Sequence, residues 1–99
     1  MSTKDIDFLA ELEAIVRSRL TNPRTESYTA RLFAEGTKRI AQKVGEEGVE
    51  LALAAHSGDR DEIIDEAADL VYHMIVLLAD RSIRITDVVQ RLKSRHVGH

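Results

Sequence analysis

The chain has 99 residues, which is enough for a single hydrophobic core, so we expect one domain over residues 1–99. Hydrophobic residues make up 43% and charged residues 31%, which excludes a disordered or collagen-like chain, and one Pro among many helix-forming residues predicts an all-α fold. The net charge of −3 and the aromatic content of 4% argue against a surface that binds nucleic acid.

The sequence also lacks several features that would indicate another class of protein. It contains no cysteine, which excludes disulfides, thiolate metal sites and cysteine nucleophiles. No stretch reaches the ~18 apolar residues that a membrane span needs. The first residues carry no apolar segment of the kind found in a signal peptide. We therefore expect a cytoplasmic protein that does not bind membranes.

Apolar residues at three- and four-residue spacing predict four helices and one shorter helical piece. Asn22-Pro23 ends the first helix, and a polar loop follows over residues 23–27. The turn Ser57-Gly58-Asp59 is short enough to make the helices on either side antiparallel neighbours. In chain order the predicted segments are Asp5 to about Leu20, Tyr28 to Glu35, about Thr37 to Ala55, about Arg60 to Ala79, and a last helix that contains Val88, Val89 and Leu92 and fades at Gly98.

Cap residues mark several of these boundaries. Ser27 is the expected cap of the short piece, and Gly36 interrupts the chain after it. Asp59 is followed three residues later by a glutamate, which has the form of an N-terminal capping arrangement. We expect Ile85 to lie in a connection and Thr86 to cap the last helix.

The predicted helix over residues 60–79 is apolar around more than half of its circumference. Between Leu70 and Ala79 the only strongly polar side chain is that of His73. A helix of this kind must be buried on every side, which four short helices cannot easily achieve. We therefore expect the chain to form a homodimer.

Two pairs of acidic residues stand at i, i+3 spacing on the two long helices: Glu47 with Glu50, and Glu66 with Asp69. This spacing projects both carboxylates of a pair over one helix surface, and antiparallel packing can bring the two surfaces together. At ~6 Å and an effective dielectric of ~20, neighbouring carboxylates repel by ~3 kcal/mol, so such a cluster needs cations. Carboxylate oxygens suit Mg²⁺ or Mn²⁺, which also bind phosphates, so a phosphate ester is the expected ligand.

Basic and imidazole side chains near these acids could complete a phosphate site. Arg39 and Lys43 precede the first acidic pair on the same helix and could supply positive charge for phosphates. His73 follows Asp69 by one turn and is either a buried, hydrogen-bonded residue or a contact to the ligand.

The same residues also have interpretations that involve no metal or substrate. An acidic strip is usually a solvated helix face, in which Glu47 merely pairs with a neighbouring cation. Gly45 and Gly48 each cost the helix roughly 1 kcal/mol relative to Ala, which indicates either sequence drift or the close approach of another backbone or a ligand. Tyr28 and Phe33 are expected in the core. A ferritin-like di-iron site is excluded, because no acidic residue has His three positions later.

Several motifs occur in an order and spacing that point to one family. They are Ser27-Tyr28-Thr29, Gly36, Lys43-Val44-Gly45-Glu46-Glu47-x-x-Glu50, Asp65-Glu66-x-x-Asp69-Leu70 and the segment around His73. With them the sequence resembles the phosphoribosyl-ATP pyrophosphohydrolases, which belong to the all-α, MazG-like nucleotide pyrophosphohydrolases. The resemblance runs from the first helix to Leu92 and implies a bundle of four to five helices assembled as a dimer. Gly48 stands where the family pattern leads us to expect Ala. No fused cyclohydrolase domain is visible, so we expect the stand-alone form.

The resemblance also implies an activity and the residues that carry it. The expected reaction is Mg²⁺-dependent hydrolysis of the α–β phosphoanhydride of phosphoribosyl-ATP to phosphoribosyl-AMP and pyrophosphate, an early step of histidine biosynthesis, with Mn²⁺ as a substitute. The implied metal ligands are Glu47, Glu50, Glu66 and Asp69. Glu46 and Glu47 are the candidate catalytic residues, Glu46 in an outer-sphere or water-orienting role, and the candidate substrate contacts are Lys43, Arg39 and His73.

Two other functions fit the same residues. A housecleaning pyrophosphohydrolase that acts on free or non-standard nucleoside triphosphates would use the same metal cluster, so the spacing of the acids cannot separate the two substrates. A non-catalytic, dimeric helical interaction module would use the acids only to keep its surface soluble. The Ser-Tyr-Thr and Lys-x-Gly-Glu-Glu motifs favour phosphoribosyl-ATP.

Overall fold

A computed structural model describes residues 3–22 and 27–96, and within these ranges it contains helices and no strand, which confirms the all-α prediction. The first four helices begin and end within two residues of the predicted bounds. The helices are α1 (Thr3–Thr21), α2 (Tyr28–Glu35), α3 (Thr37–Ser57), α4 (Arg60–Asp80) and α5 (Ile85–His96). The predicted loop over residues 23–26 and the predicted helix end at Gly98 lie outside the described residues.

The caps of α2 and α4 are those that the sequence predicts. Ser27 Oγ accepts a hydrogen bond from the backbone N–H of Ala30 at 3.2 Å. An Asp59 carboxylate oxygen accepts from the N–H of Glu62 at 3.0 Å. Each bond satisfies a backbone donor that has no partner inside the helix. Gly36, at φ 98°, separates α2 from α3 in a backbone conformation that other residues rarely adopt.

The start of α5 differs from the prediction. Ile85 is the first residue of the helix, and Thr86 therefore lies inside it rather than at its cap. The acceptors come from elsewhere: an Asp87 carboxylate oxygen accepts from the N–H of Arg84 at 2.9 Å, and Glu13 of α1 accepts from the N–H of Ile85 at 2.7 Å. One local and one long-range acceptor therefore set this boundary.

Helices α3 and α4 form an antiparallel hairpin and make the most extensive helix pairing in the described chain. At the closed end, Gly58 turns the chain at φ 87° and its N–H bonds the carbonyl of Ala54 at 3.0 Å. At the open end, Thr37 Oγ1 donates to Asp80 Oδ2 at 2.5 Å. Because both ends are joined, side chains midway along α3 face side chains midway along α4.

The core lies where α1 and α2 cover this hairpin. Val16 of α1, Leu32 of α2 and Ile40 of α3 are almost completely buried, and they pack with Ile75 and Val76 of α4. Phe33 lies partly buried against this cluster, as predicted for a core residue. Tyr28 does not, because its side chain is 42% exposed at the first position of α2.

The chain itself covers most of the C-terminal half of α4, so the apolar pattern of this helix does not by itself require a second chain. Between residues 70 and 79 the only exposed large apolar side chain is that of Met74, at 37%. The more exposed apolar side chains lie on other helices, such as Val49 and Leu53 of α3 and Leu92 of α5. None of the helices in the described ranges has the length and apolarity needed to span a membrane.

Candidate metal centre

Three acidic side chains from the middle of the hairpin meet at one point. One carboxylate oxygen each from Glu47 of α3 and from Glu66 and Asp69 of α4 lie within 4.8 Å of one another. The i, i+3 pair of α4 places two of these groups on the face that packs against α3, and Glu47 lies opposite them. The predicted convergence of the two acidic strips is therefore present for these three residues.

Two oxygens of this group are enclosed without a hydrogen-bond partner among the described residues. They are Oε2 of Glu47 and Oε2 of Glu66. The Glu47 side chain as a whole is buried, at 6% exposure. A buried carboxylate oxygen that accepts no hydrogen bond costs free energy, and coordination of a cation removes this cost. The donor set therefore fits a hard divalent cation, which takes oxygen ligands of this kind.

The fourth predicted ligand, Glu50, is joined to the group through Glu66. A hydrogen bond to Glu50, burial, and the negative charges of Glu50, Glu47 and Asp69 together raise the pKa of Glu66 from 4.5 to about 7. We call these four residues the acidic cluster. Part of this shift comes from the repulsion between carboxylates that the sequence leads us to expect.

Of the predicted substrate contacts on α3, Lys43 lies beside the acidic cluster and Arg39 lies one turn farther from it. Lys43 Nζ lies 3.4 Å from Oε1 of Glu47 and 3.7 Å from Oε1 of Glu46. Burial lowers the pKa of Lys43, but the hydrogen bond to Glu47 and nearby negative charges outweigh it and hold the pKa above its usual range. Arg39 pairs one turn earlier with Glu35, at 3.5 Å, on the exposed side of the helix.

Glu46, the other candidate catalytic residue, shares Lys43 with Glu47. Its side chain is exposed, and it accepts a hydrogen bond from Gln42 Nε2 at 3.0 Å in addition to pairing with Lys43. Its carboxylate is not among the three that converge.

His73 is buried, at 5% exposure, and both of its ring nitrogens are engaged within the chain. Nδ1 lies 2.7 Å from the carbonyl oxygen of Asp69, and Nε2 lies 2.9 Å from the hydroxyl of Tyr28. Of the two predicted alternatives, the structure therefore matches the buried, hydrogen-bonded histidine. The spacing of residues did not predict Tyr28 as a polar partner of His73, although its place in the Ser-Tyr-Thr motif was a signal for such a role.

Gly45 and Gly48 are not approached by any other part of the described chain. A Cβ atom built on either glycine meets no atom within 4 Å. The packing of a single chain therefore gives no reason for these two glycines.

Comparison with known proteins identifies the family. The sequence matches the phosphoribosyl-ATP pyrophosphohydrolase family over residues 9–96. It is 58% identical over 92 residues to the histidine biosynthesis bifunctional protein HisIE of Campylobacter jejuni, an alignment that covers 93% of this chain and 44% of that protein. The corresponding protein of Salmonella typhimurium is 56% identical over 89 residues, covering 90% of this chain and 44% of the relative.

This chain thus spans less than half the length of the curated relatives it matches. The family match includes every residue of the acidic cluster together with Lys43 and His73. The chain belongs to the phosphoribosyl-ATP pyrophosphohydrolase family.

Proposed function

We propose that this chain hydrolyses the α–β phosphoanhydride of phosphoribosyl-ATP to phosphoribosyl-AMP and pyrophosphate, as a step of histidine biosynthesis in the cytoplasm, with Mg²⁺ as its cofactor and Mn²⁺ as a substitute. The observation that carries the proposal is the meeting of carboxylate oxygens from Glu47, Glu66 and Asp69. Membership of the family supplies the substrate class.

The acidic cluster would hold the metal. The ligands we assign are Glu47, Glu50, Glu66 and Asp69; oxygens of Glu47, Glu66 and Asp69 meet, and Glu50 is joined to them by its hydrogen bond with Glu66. When bound, Mg²⁺ neutralises phosphate charge and lowers the pKa of a water molecule at the site. The enclosed oxygens of Glu47 and Glu66 support the assignment, because no described residue satisfies them.

The chain's own contribution is positioning and charge. Lys43 keeps its ammonium group beside Glu47 with its side chain 21% exposed, so it can move toward an entering phosphate without leaving the edge of the site. Pairing with a phosphate oxygen would then replace its pairing with carboxylate. Arg39, one turn away, is a second source of positive charge for the outer phosphates. Phosphoryl transfer depends chiefly on such positioning and electrostatic stabilisation.

A substrate comparison tests the reaction. We expect the purified protein with Mg²⁺ to release pyrophosphate from phosphoribosyl-ATP much faster than from ATP or dUTP. Glu50→Gln and Asp69→Asn should abolish turnover while helicity stays near that of the wild type. Faster release from ATP or dUTP would instead indicate a housecleaning enzyme, and retained turnover in both variants would refute the ligand assignment.

A binding measurement separates the enzyme from a non-catalytic interaction module. If the native protein has a metal site, binding of Mg²⁺ or Mn²⁺ must raise its melting temperature by mass action. A solvated acidic face would respond little to either ion. An unchanged melting temperature would therefore count against the proposed function.

We also propose that the protein is a homodimer. The exposed apolar side chains support this proposal, above all Val49 and Leu53 of α3, at 61% and 65% exposure. The radius of gyration of 14.8 Å exceeds the ~13 Å of a compact domain of this length, so the chain is less compact than is usual for its size. Sedimentation should give the mass of two chains, and Leu53→Glu should shift it toward one. A strictly monomeric wild type would contradict this proposal.

A further inference from the structure

The Ser27-Tyr28-Thr29 motif has three different hydrogen-bonding roles at the start of α2. Ser27 caps the helix through its side-chain oxygen. The hydroxyl of Tyr28 bonds His73, and that of Thr29 bonds the hydroxyl of Tyr72. Two consecutive residues of α2 are therefore tied to two consecutive residues of α4. This attachment lies one turn from Asp69.

The bond between Tyr28 and His73 has a defined direction. The carbonyl oxygen of Asp69 can only accept, so His73 Nδ1 must donate to it and carries the ring proton. In a neutral imidazole Nε2 is then an acceptor, and the Tyr28 hydroxyl must donate to it. The hydrogen bonds therefore run in series from the Tyr28 hydroxyl through the His73 ring to the Asp69 carbonyl, and both ring nitrogens of His73 have a partner.

The last acceptor in this series of hydrogen bonds is the backbone carbonyl of Asp69, a residue of the acidic cluster. In a regular helix that carbonyl also accepts from the backbone N–H of residue 73, so His73 adds a second donor to the Asp69 peptide group. The Tyr28 ring is itself held in place: it stacks on Tyr72 at 6.2 Å between centroids, and the Arg31 guanidinium lies 5.9 Å from its centroid. The position of α2 is thus transmitted to the backbone that carries the Asp69 carboxylate.

We propose that Tyr28 and His73 are positioning residues that orient Asp69 for metal binding. This inference rests on the proposed function, because it takes the acidic cluster to be the metal site. Hydrogen bonds from neighbouring residues to the ligating residues of a metal site fix the orientation of the ligands. Removing one of these bonds typically lowers metal affinity 10- to 100-fold. The Ser-Tyr-Thr motif is therefore part of the metal centre's construction, although none of its residues belongs to the acidic cluster.

Titration of Mn²⁺ into the full chain by calorimetry tests the role. Tyr28→Phe keeps the stacked ring and removes the donor to His73, and we expect about tenfold weaker Mn²⁺ binding. Tyr72→Phe is the matched control, since it removes the neighbouring hydroxyl, which bonds Thr29 and not His73. It should bind Mn²⁺ as the wild type does, and thermal unfolding should shift by a similar amount in both variants.

Four outcomes would overturn the inference. Wild-type affinity in Tyr28→Phe would remove the role of the Tyr28 hydroxyl, and an equal loss in Tyr72→Phe would show a general effect of loosening α2. If the wild type itself binds no Mn²⁺, the proposed metal site fails as well, which distinguishes the two failures.

Should Tyr28→Phe not fold, His73→Asn tests the same bond, because it keeps a donor near the Asp69 carbonyl but cannot reach Tyr28. It is expected to lose affinity by the same factor, and unchanged affinity would refute the proposal.

Discussion

The ammonium nitrogen of Lys43 lies 3.4 Å from Oε1 of Glu47, so a cation already stands beside the most buried carboxylate of the acidic cluster. The pair connects consecutive turns of α3 at i, i+4 spacing. Lys43 therefore offsets part of the negative charge that the cluster gathers before any metal or phosphate arrives. This relationship gives the lysine a role in the metal-free protein in addition to its proposed contact with substrate.

Removing this lysine should destabilise the metal-free protein. Lys43→Met keeps most of the apolar stem but leaves the buried Glu47 carboxylate without its cation, so we expect the free energy of unfolding to fall by about 1–3 kcal/mol in urea. The matched control is Arg39→Met, which breaks an i, i+4 pair whose partners are 40% and 54% exposed. Its effect should stay below about 1 kcal/mol. Equal losses in the two variants would contradict the account of Lys43.

The raised pKa of Glu66 predicts an unusual dependence of stability on pH. Between pH 4.5 and about 7 the folded, metal-free protein holds a proton on Glu66 that the unfolded chain has lost. Raising the pH through this range therefore lowers the free energy of unfolding contributed by this group. Chemical denaturation in EDTA at several pH values measures the slope. In Glu66→Gln, which cannot titrate at this position, the free energy of unfolding should fall less over the same pH range. An identical slope against pH in both proteins would show that Glu66 does not titrate there.

The same group predicts how metal binding depends on pH. A cation competes with the proton on Glu66, so the apparent affinity for Mn²⁺ should rise with pH up to about 7 and level off above it. Calorimetry in buffers of different ionisation enthalpy should detect proton release on binding near pH 6.5. Binding without any proton release at that pH would contradict the assignment of Glu66 as a ligand.

Substitution of Gly48 should stabilise the protein. It lies inside α3, where Ala is favoured over Gly by ~1 kcal/mol, and an added Cβ would meet no atom of the described chain within 4 Å. We expect Gly48→Ala to raise the free energy of unfolding by about 1 kcal/mol with turnover unchanged. A loss of turnover without a loss of stability would show that a ligand or a second chain approaches this glycine.

The bond between Glu13 and Ile85 should be the main attachment of the N-terminus of α5. Glu13→Ala leaves the Ile85 N–H without this acceptor, and we expect it to lower the free energy of unfolding by about 1 kcal/mol. Amide exchange should quicken at the start of α5. Glu11→Ala, an exposed site on the same helix, is the control and should change stability by less than about 0.5 kcal/mol. Unchanged exchange in Glu13→Ala would contradict the contact.

Features that depend on neighbouring residues could be predicted from the sequence. The apolar spacing of the long helices and the local caps Ser27 and Asp59 specify helix bounds with little reference to the rest of the chain. The meeting of Glu47 with Glu66 and Asp69 was predictable for a similar reason, because a short turn between two helices leaves little choice but antiparallel packing.

Features that depend on distant residues could not be predicted. The start of α5 is set partly by Glu13, which lies 72 positions earlier in the chain. The apolar pattern of α4 predicted burial but not which parts of the chain supply it, among them Val16 of α1 and Leu32 of α2. The bond from Tyr28 to His73 likewise requires the packing of α2 on α4, which no spacing rule supplies.

Anomalous scattering from crystals grown with Mn²⁺ tests the central claim most directly, because it locates the ion independently of turnover. The account predicts a peak among the carboxylates of Glu47, Glu66 and Asp69, and its absence in crystals of Asp69→Asn grown in the same way. A peak elsewhere on the wild-type protein, or carboxylates of the acidic cluster that point apart into solvent with no ion between them, would contradict it.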